Sequence, residues 1–269
     1  MSVRTAVANL SLRSVRYLES GSGQALILLH AFPLSADQWL PQLHRVPPGW
    51  RFVAPDLRGF RGVGPAFPDV GLHGLTIDDY AADVVELMAH LDISKAVIGG
   101  LSMGGYVALA LYRRAPQRVA GLMLANTRAA ADSPEGRDGR DRMLDLVGRE
   151  GTRGVAEAMV PKLLGATTRA EQPDLSDAVT AMISANTPDA IGAAVLAMRD
   201  REDATAVLGS LTCPTTIIAA EEDAVIPPAE AEAMHRAVAG SRFVTLAGAG
   251  HLSNLETPQA FNAALAGAL

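Results

Sequence analysis

Between residues 25 and 125 the chain alternates compact, mostly apolar runs with longer stretches whose apolar residues recur at helical spacing. Residues 25–29, 51–55, 96–100 and 119–125 are each too short for an amphipathic helix. Apolar runs of that length suit strands buried on both faces, as in a mostly parallel sheet covered by helices. Residues 35–44 predict a short helix between two such strands. Tyr80, Val84, Leu87, Met88 and Leu91 mark one face of a longer helix that Thr76 can cap. Residues 3–18 read as two opening strands and 56–69 as a loop rich in Gly and Pro. The predicted class is α/β.

From about residue 126 to 208 the pattern changes to short helical stretches separated by Gly and Pro, such as 157–164 and 189–198. Strand and helix then alternate again: 214–220 strand, 228–238 helix, 242–246 strand, 257–265 helix. The expectation is a core of residues 1–127 and 206–269 with a helical lid, 128–205, inserted into it. Residues 128–142, rich in Arg, Asp and Gly, are expected to be a mobile connection. A chain of 269 residues, 49% hydrophobic, is long enough for one full core with such an insertion.

Charge and cysteine content narrow the function. With 23 basic against 29 acidic residues the formal net charge is -6, and no dense run of Lys or Arg could follow a phosphate backbone, so nucleic acid is not an expected partner. Cys213, the single cysteine, cannot form an internal disulfide. Residues 1–20 alternate polar and apolar side chains instead of forming a secretory signal, so a cytoplasmic protein is expected. Residues 96–112 are apolar enough to suggest a membrane span, but Ser102 and four glycines fit a strand, turn and helix better, and no membrane role is expected. Oligomeric state leaves no sequence signal. The strand-to-helix G-x-G-x-x-G, the Walker A lysine, H-E-x-x-H and EF-hand spacing are all missing, so neither cofactor nor metal is implied.

Gly100-Leu101-Ser102-Met103-Gly104 matches G-x-S-x-G between a predicted buried strand and a predicted helix. A turn that sharp lifts the serine hydroxyl to the top of the sheet, and it needs small residues two before and two after the serine. A hydroxyl is a poor nucleophile at neutral pH, so Ser102 needs a base and a third group to orient that base. Of six histidines, only His251 lies in a glycine-flanked loop between a late strand and the last helix. His44, His90 and His235 fall on helical patterns, and His73 in a loop. Glu221, Glu222 and Asp223 all follow the strand ending at Ala220. Asp223 is the expected acid, because its side chain is short and Pro227 and Pro228 stiffen the turn after it. Glu221 and Glu222 better suit a solvated acidic turn beside the helix at Pro228.

These stretches, with His30-Ala31-Phe32-Pro33-Leu34 and Pro55-Asp56-Leu57-Arg58-Gly59, resemble the α/β-hydrolase superfamily, nearest to its bacterial carboxylesterase and 3-oxoadipate enol-lactonase branch. The resemblance spans nearly the whole chain. It implies the α/β-hydrolase fold and an oxyanion hole from the backbone N–H groups of Phe32 and Met103. It makes His30 and Arg58 loop-holding residues. The chain departs from the family pattern at Ala31 and Ala220, where glycine is usual. The function implied is hydrolysis of small to medium carboxylic esters or lactones through an acyl-enzyme. The alternatives are cofactor-free perhydrolysis, C–C bond hydrolysis or lysis, and a non-catalytic receptor. Dehalogenases and epoxide hydrolases of this fold carry an aspartate where this chain has Ser102.

Overall fold

The computed structural model describes residues 2–11, 13–61 and 73–269. Its sheet has eight strands: β1 Arg4–Asn9, β2 Ser14–Gly21, β3 Gln24–Leu29, β4 Trp50–Pro55, β5 Ala96–Leu101, β6 Val119–Ala125, β7 Thr215–Ala220 and β8 Arg242–Leu246. Their spatial order is β1-β2-β4-β3-β5-β6-β7-β8. β1 pairs antiparallel with β2 and β2 with β4; every other pairing is parallel. The burial explains the sequence pattern. Leu26 to Leu29 in β3 are wholly out of water, whereas the edge strand β1 is largely exposed. Strands covered on both faces need apolar residues throughout.

The chain leaves β3 toward β4 on one side and returns to β5 on the other, so the strand order reverses between β3 and β5. In open parallel sheets a crevice forms at such a reversal, outside the carboxyl ends of the strands. Helices α1 (Leu40–Leu43), α2 (Ile77–His90) and α3 (Met103–Arg114) connect this part of the sheet. Thr76 caps α2 as expected, in a reciprocal pair with Asp79: its Oγ1 accepts from the Asp79 N–H at 3.2 Å, and its own N–H donates to Asp79 at 2.9 Å. The expected loop at 56–69 lies in part outside the described residues.

Between β6 and β7 come α4 (Pro134–Leu163), α5 (Ala166–Glu171), α6 (Pro173–Ser184), α7 (Pro188–Arg199) and α8 (Thr205–Leu208); α9 (Pro228–Ala237), α10 (Ser253–Glu256) and α11 (Pro258–Ala266) complete the chain. α4 is kinked at Gly151, where φ is 62° and ψ -157°. The expected mobile connection at 128–142 is instead ordered. α4 begins at Pro134 with the Ser133 hydroxyl accepting from Gly136 N–H, and Asp132, 6% exposed, is bound by Arg128, Arg140 and Arg201. A composition poor in apolar residues suggested mobility, but the Asp132 carboxylate ties Arg128 and Arg140 of the segment to Arg201 beyond it. Among the described residues no helix is long and apolar enough to cross a membrane.

Candidate active site

Ser102 stands alone between the end of β5 and the start of α3, with φ 55° and ψ -116°. A non-glycine residue in such a conformation costs about 1–3 kcal/mol, so the surroundings must hold it there. Its N–H donates to Ala125 O at 2.9 Å, and its carbonyl accepts from Thr127 Oγ1 at 2.8 Å. The two glycines of the motif have separate reasons. A Cβ on Gly100 would collide with the Gly104 carbonyl, and one on Gly104 with the carbonyl of Leu29 in β3. The backbone therefore turns as tightly as the apex requires.

His251 follows β8 and is 1% exposed, and Asp223 follows β7 and is 7% exposed. The His251 Nδ1 lies 3.0 Å from Asp223 Oδ1 and 2.9 Å from Oδ2. A carboxylate can only accept, so Nδ1 carries a proton, and in the neutral tautomer that this selects, Nε2 is the nitrogen left with a lone pair. Asp223 Oδ1 also accepts from the N–H groups of Val225 and Ile226 at 2.8 and 2.9 Å, and Oδ2 from Asn126 Nδ2 at 2.9 Å. Burial pushes its pKa up, but the neighbouring imidazole and these donors outweigh burial and hold it below the usual carboxylate range.

Sequence reasoning missed the residues that hold this pair. Asn126, at φ 47° just past β6, donates to Asp223 while its Oδ1 accepts from Ser253 Oγ at 2.6 Å. Glu256, 2% exposed, accepts from Gly250 N–H and Leu252 N–H on either side of His251, both at 2.9 Å, and from Gly165 N–H at 2.7 Å. One signal was available for Asn126: Asn-Thr directly after a buried strand whose neighbour carries Ser102. Glu222 also differs from expectation. It accepts from the N–H and hydroxyl of Thr167 in α5, tying that helix to the acid loop, while Glu221 is exposed.

His30 is fully buried, with Nε2 accepting from Leu57 N–H at 3.0 Å and Nδ1 against the Ala31 carbonyl at 3.0 Å. It thus joins the loop after β3 to the loop after β4. Burial outweighs its backbone bond and pushes its pKa down from 6.5 to about 4. Arg58 binds Asp83 through two hydrogen bonds at 2.9 and 2.6 Å. Gln38 Oε1 accepts from Ala31 N–H at 2.9 Å, its Nε2 donates to Asn254 Oδ1 at 3.2 Å, and Asn186 Nδ2 donates to Pro33 O at 2.9 Å. Phe32 lies between these anchors. Met103 is the first residue of α3, a position whose N–H has no acceptor within its own helix.

Ser102, His251 and Phe32 line a cavity of about 210 Å³, walled further by Met143, Met159 and Met198. Arg128 and Arg140, from the segment expected to be mobile, line it too. Of the apolar residues singled out in the sequence between β6 and β7, Leu163 and Ile191 are wholly buried core. His44, His73 and His90 are exposed, and His235 stacks on Phe243; none of the four lines this cavity. A larger cleft of about 400 Å³, between the α2–α3 side and α7, contains neither Ser102 nor His251. Ser102 and His251 both line the smaller cavity, which makes it the candidate site.

Fold and geometry together define a hydrolase, and the chain belongs to the alpha/beta hydrolase fold family, which matches residues 24–258. A solved structure, a thermophilic esterase from Thermogutta terrifontis in its malate-bound form, is 36% identical, with a TM-score of 0.89 over 98% of this chain and 97% of that one. The 3-oxoadipate enol-lactonase 2 of Acinetobacter baylyi is 25% identical over 90% of this chain and 86% of its own length. A protein of Variovorax paradoxus named "Putative carbamate hydrolase RutD" is 33% identical over 76% of each chain.

Proposed function

We propose that the protein is a serine hydrolase cleaving small to medium carboxylic esters or lactones through an acyl-enzyme. The observation that carries this reading is His251, buried and bound to Asp223, lining the same cavity as Ser102 at its strained apex. The esterase and enol-lactonase relatives support it. In this reading Ser102 Oγ attacks the carbonyl carbon while His251 Nε2 takes its proton. The N–H groups of Phe32 and Met103 hold the oxyanion. Collapse breaks the C–O bond, and the leaving alkoxide takes the proton from His251. Water, deprotonated by His251, then attacks the acyl group, Ser102 leaves with that proton, and the acid departs. Asp223, kept ionised, offsets the imidazolium charge. The helices of residues 128–205 act as a lid over this chemistry, and the single half-buried Cys213 fits action in the cytoplasm.

Short and medium nitrophenyl esters test the reading. A mass increase equal to the acyl group, followed by many turnovers, is expected. Ser102→Ala should fold normally, lose the adduct and lose about ten-thousandfold or more in kcat. A single turnover would point to a receptor, and turnover only with peroxide to a perhydrolase.

A further inference from the structure

Three guanidinium groups converge on one carboxylate at the wall of the candidate site. Arg201, only 3% exposed, binds Asp132 at 2.9 Å and the carbonyls of Met198 and Ala130 at 2.8 and 2.7 Å. That pair is already neutral. Arg128 binds the same carboxylate at 2.6 Å and Arg140 binds it at 3.0 Å, so their two charges share an acid that Arg201 has matched. Among the described residues, the other carboxylate within ion-pair reach of Arg128 is Glu230, at 4.0 Å and at the surface. The Arg128 Nε is buried and has no acceptor. Both side chains, 22% exposed, line the cavity that holds Ser102 and His251. Asp132 itself and Tyr106 also line the cavity, and the rest of its wall is largely apolar, including Phe32, Met143, Met159 and Ile226. Surplus cations in a narrow apolar cavity are stabilised best by an anion that enters it.

We propose that Arg128 and Arg140 form a subsite for a carboxylate carried by the substrate. The preferred substrate is then the half-ester of a short dicarboxylic acid, with its free carboxylate on the arginines and its ester carbonyl at Ser102. This inference rests on the hydrolase reading, and two measurements separate the failure of one from the failure of the other. In the first, hydrolysis of monomethyl glutarate and dimethyl glutarate is followed by proton release. The wild type should favour the half-ester at least tenfold in kcat/KM, less so as salt is raised. Arg140→Met should bring the ratio toward one by raising KM for the half-ester, and Arg140→Lys should keep part of the preference. In the second, calorimetry should detect glutarate binding to Ser102→Ala and its loss in the added presence of Arg140→Met. Equal or better turnover of the diester, with a ratio indifferent to Arg140→Met, overturns the subsite and leaves the hydrolase standing. Arginine-dependent glutarate binding without turnover of either ester does the reverse. Absence of both binding and turnover overturns both.

Discussion

In the central strands the fold is secured by apolar side chains withdrawn from water, as Leu26 to Leu29 and Ile217 to Ala220 illustrate. Where the chain leaves the sheet after β6, the anchorage is ionic instead: Asp132 gathers Arg128, Arg140 and Arg201 from both ends of the helical segment. Apolar burial is non-directional and is written in consecutive residues. An ion cluster depends on partners far apart in the chain, and each becomes a burden when its partner is removed. The sheet therefore tolerates change gradually, whereas the root of the segment rests on one carboxylate.

The largest expected effect lies at the sheet's carboxyl edge. Asp223→Asn should lower kcat on an activated ester by about ten-thousandfold, since an amide favours the wrong tautomer of His251. Glu222→Gln, which disturbs only the tie to Thr167, should cost under about tenfold by the same assay, the scale of a single hydrogen bond. A reversed ranking would move the acid by one residue.

Asp132→Asn tests the ionic root. Urea unfolding should show a loss of about 3 kcal/mol, at the lower end for a broken buried pair because Arg128 and Arg140 still reach water. Arg153→Ala, at an exposed pair with Glu157 in the same helix, should leave the urea midpoint essentially unchanged. Equal effects would erase the distinction between root and surface.

On the sheet side, His30 makes stability depend on pH. Its folded-state pKa is depressed from 6.5 to about 4, so between those values the unfolded chain binds a proton that the folded chain refuses. Stability is complete above about 6.5 and is lost as pH falls toward about 4, by up to about 3 kcal/mol. His30→Gln has no proton to gain, so its urea midpoint should fall less over this range than that of the wild type.

The same contrast explains what could be read in advance. The strand, apex and helix around Ser102 were legible because their signals are contiguous: an apolar run, a small-polar-small turn, then helical spacing. His251 and Asp223 were legible as polar residues just beyond late strands. Gln38 with Asn254, and Asp132 with Arg201, were not, since each pair joins residues distant in sequence and nothing local marks either member as buried. The composition of residues 128–142 misled for the same reason, because charges count as solvated until their partners are known.

The Glu256 carboxylate takes one amide from the segment between β6 and β7 and two from the turn carrying His251. At Gly165 the helical segment and the turn carrying His251 are thus joined through one carboxylate. A bulky ligand that levers up this end must strain the imidazole's mounting, whereas the far end, around the α4 kink at Gly151, lies outside that linkage.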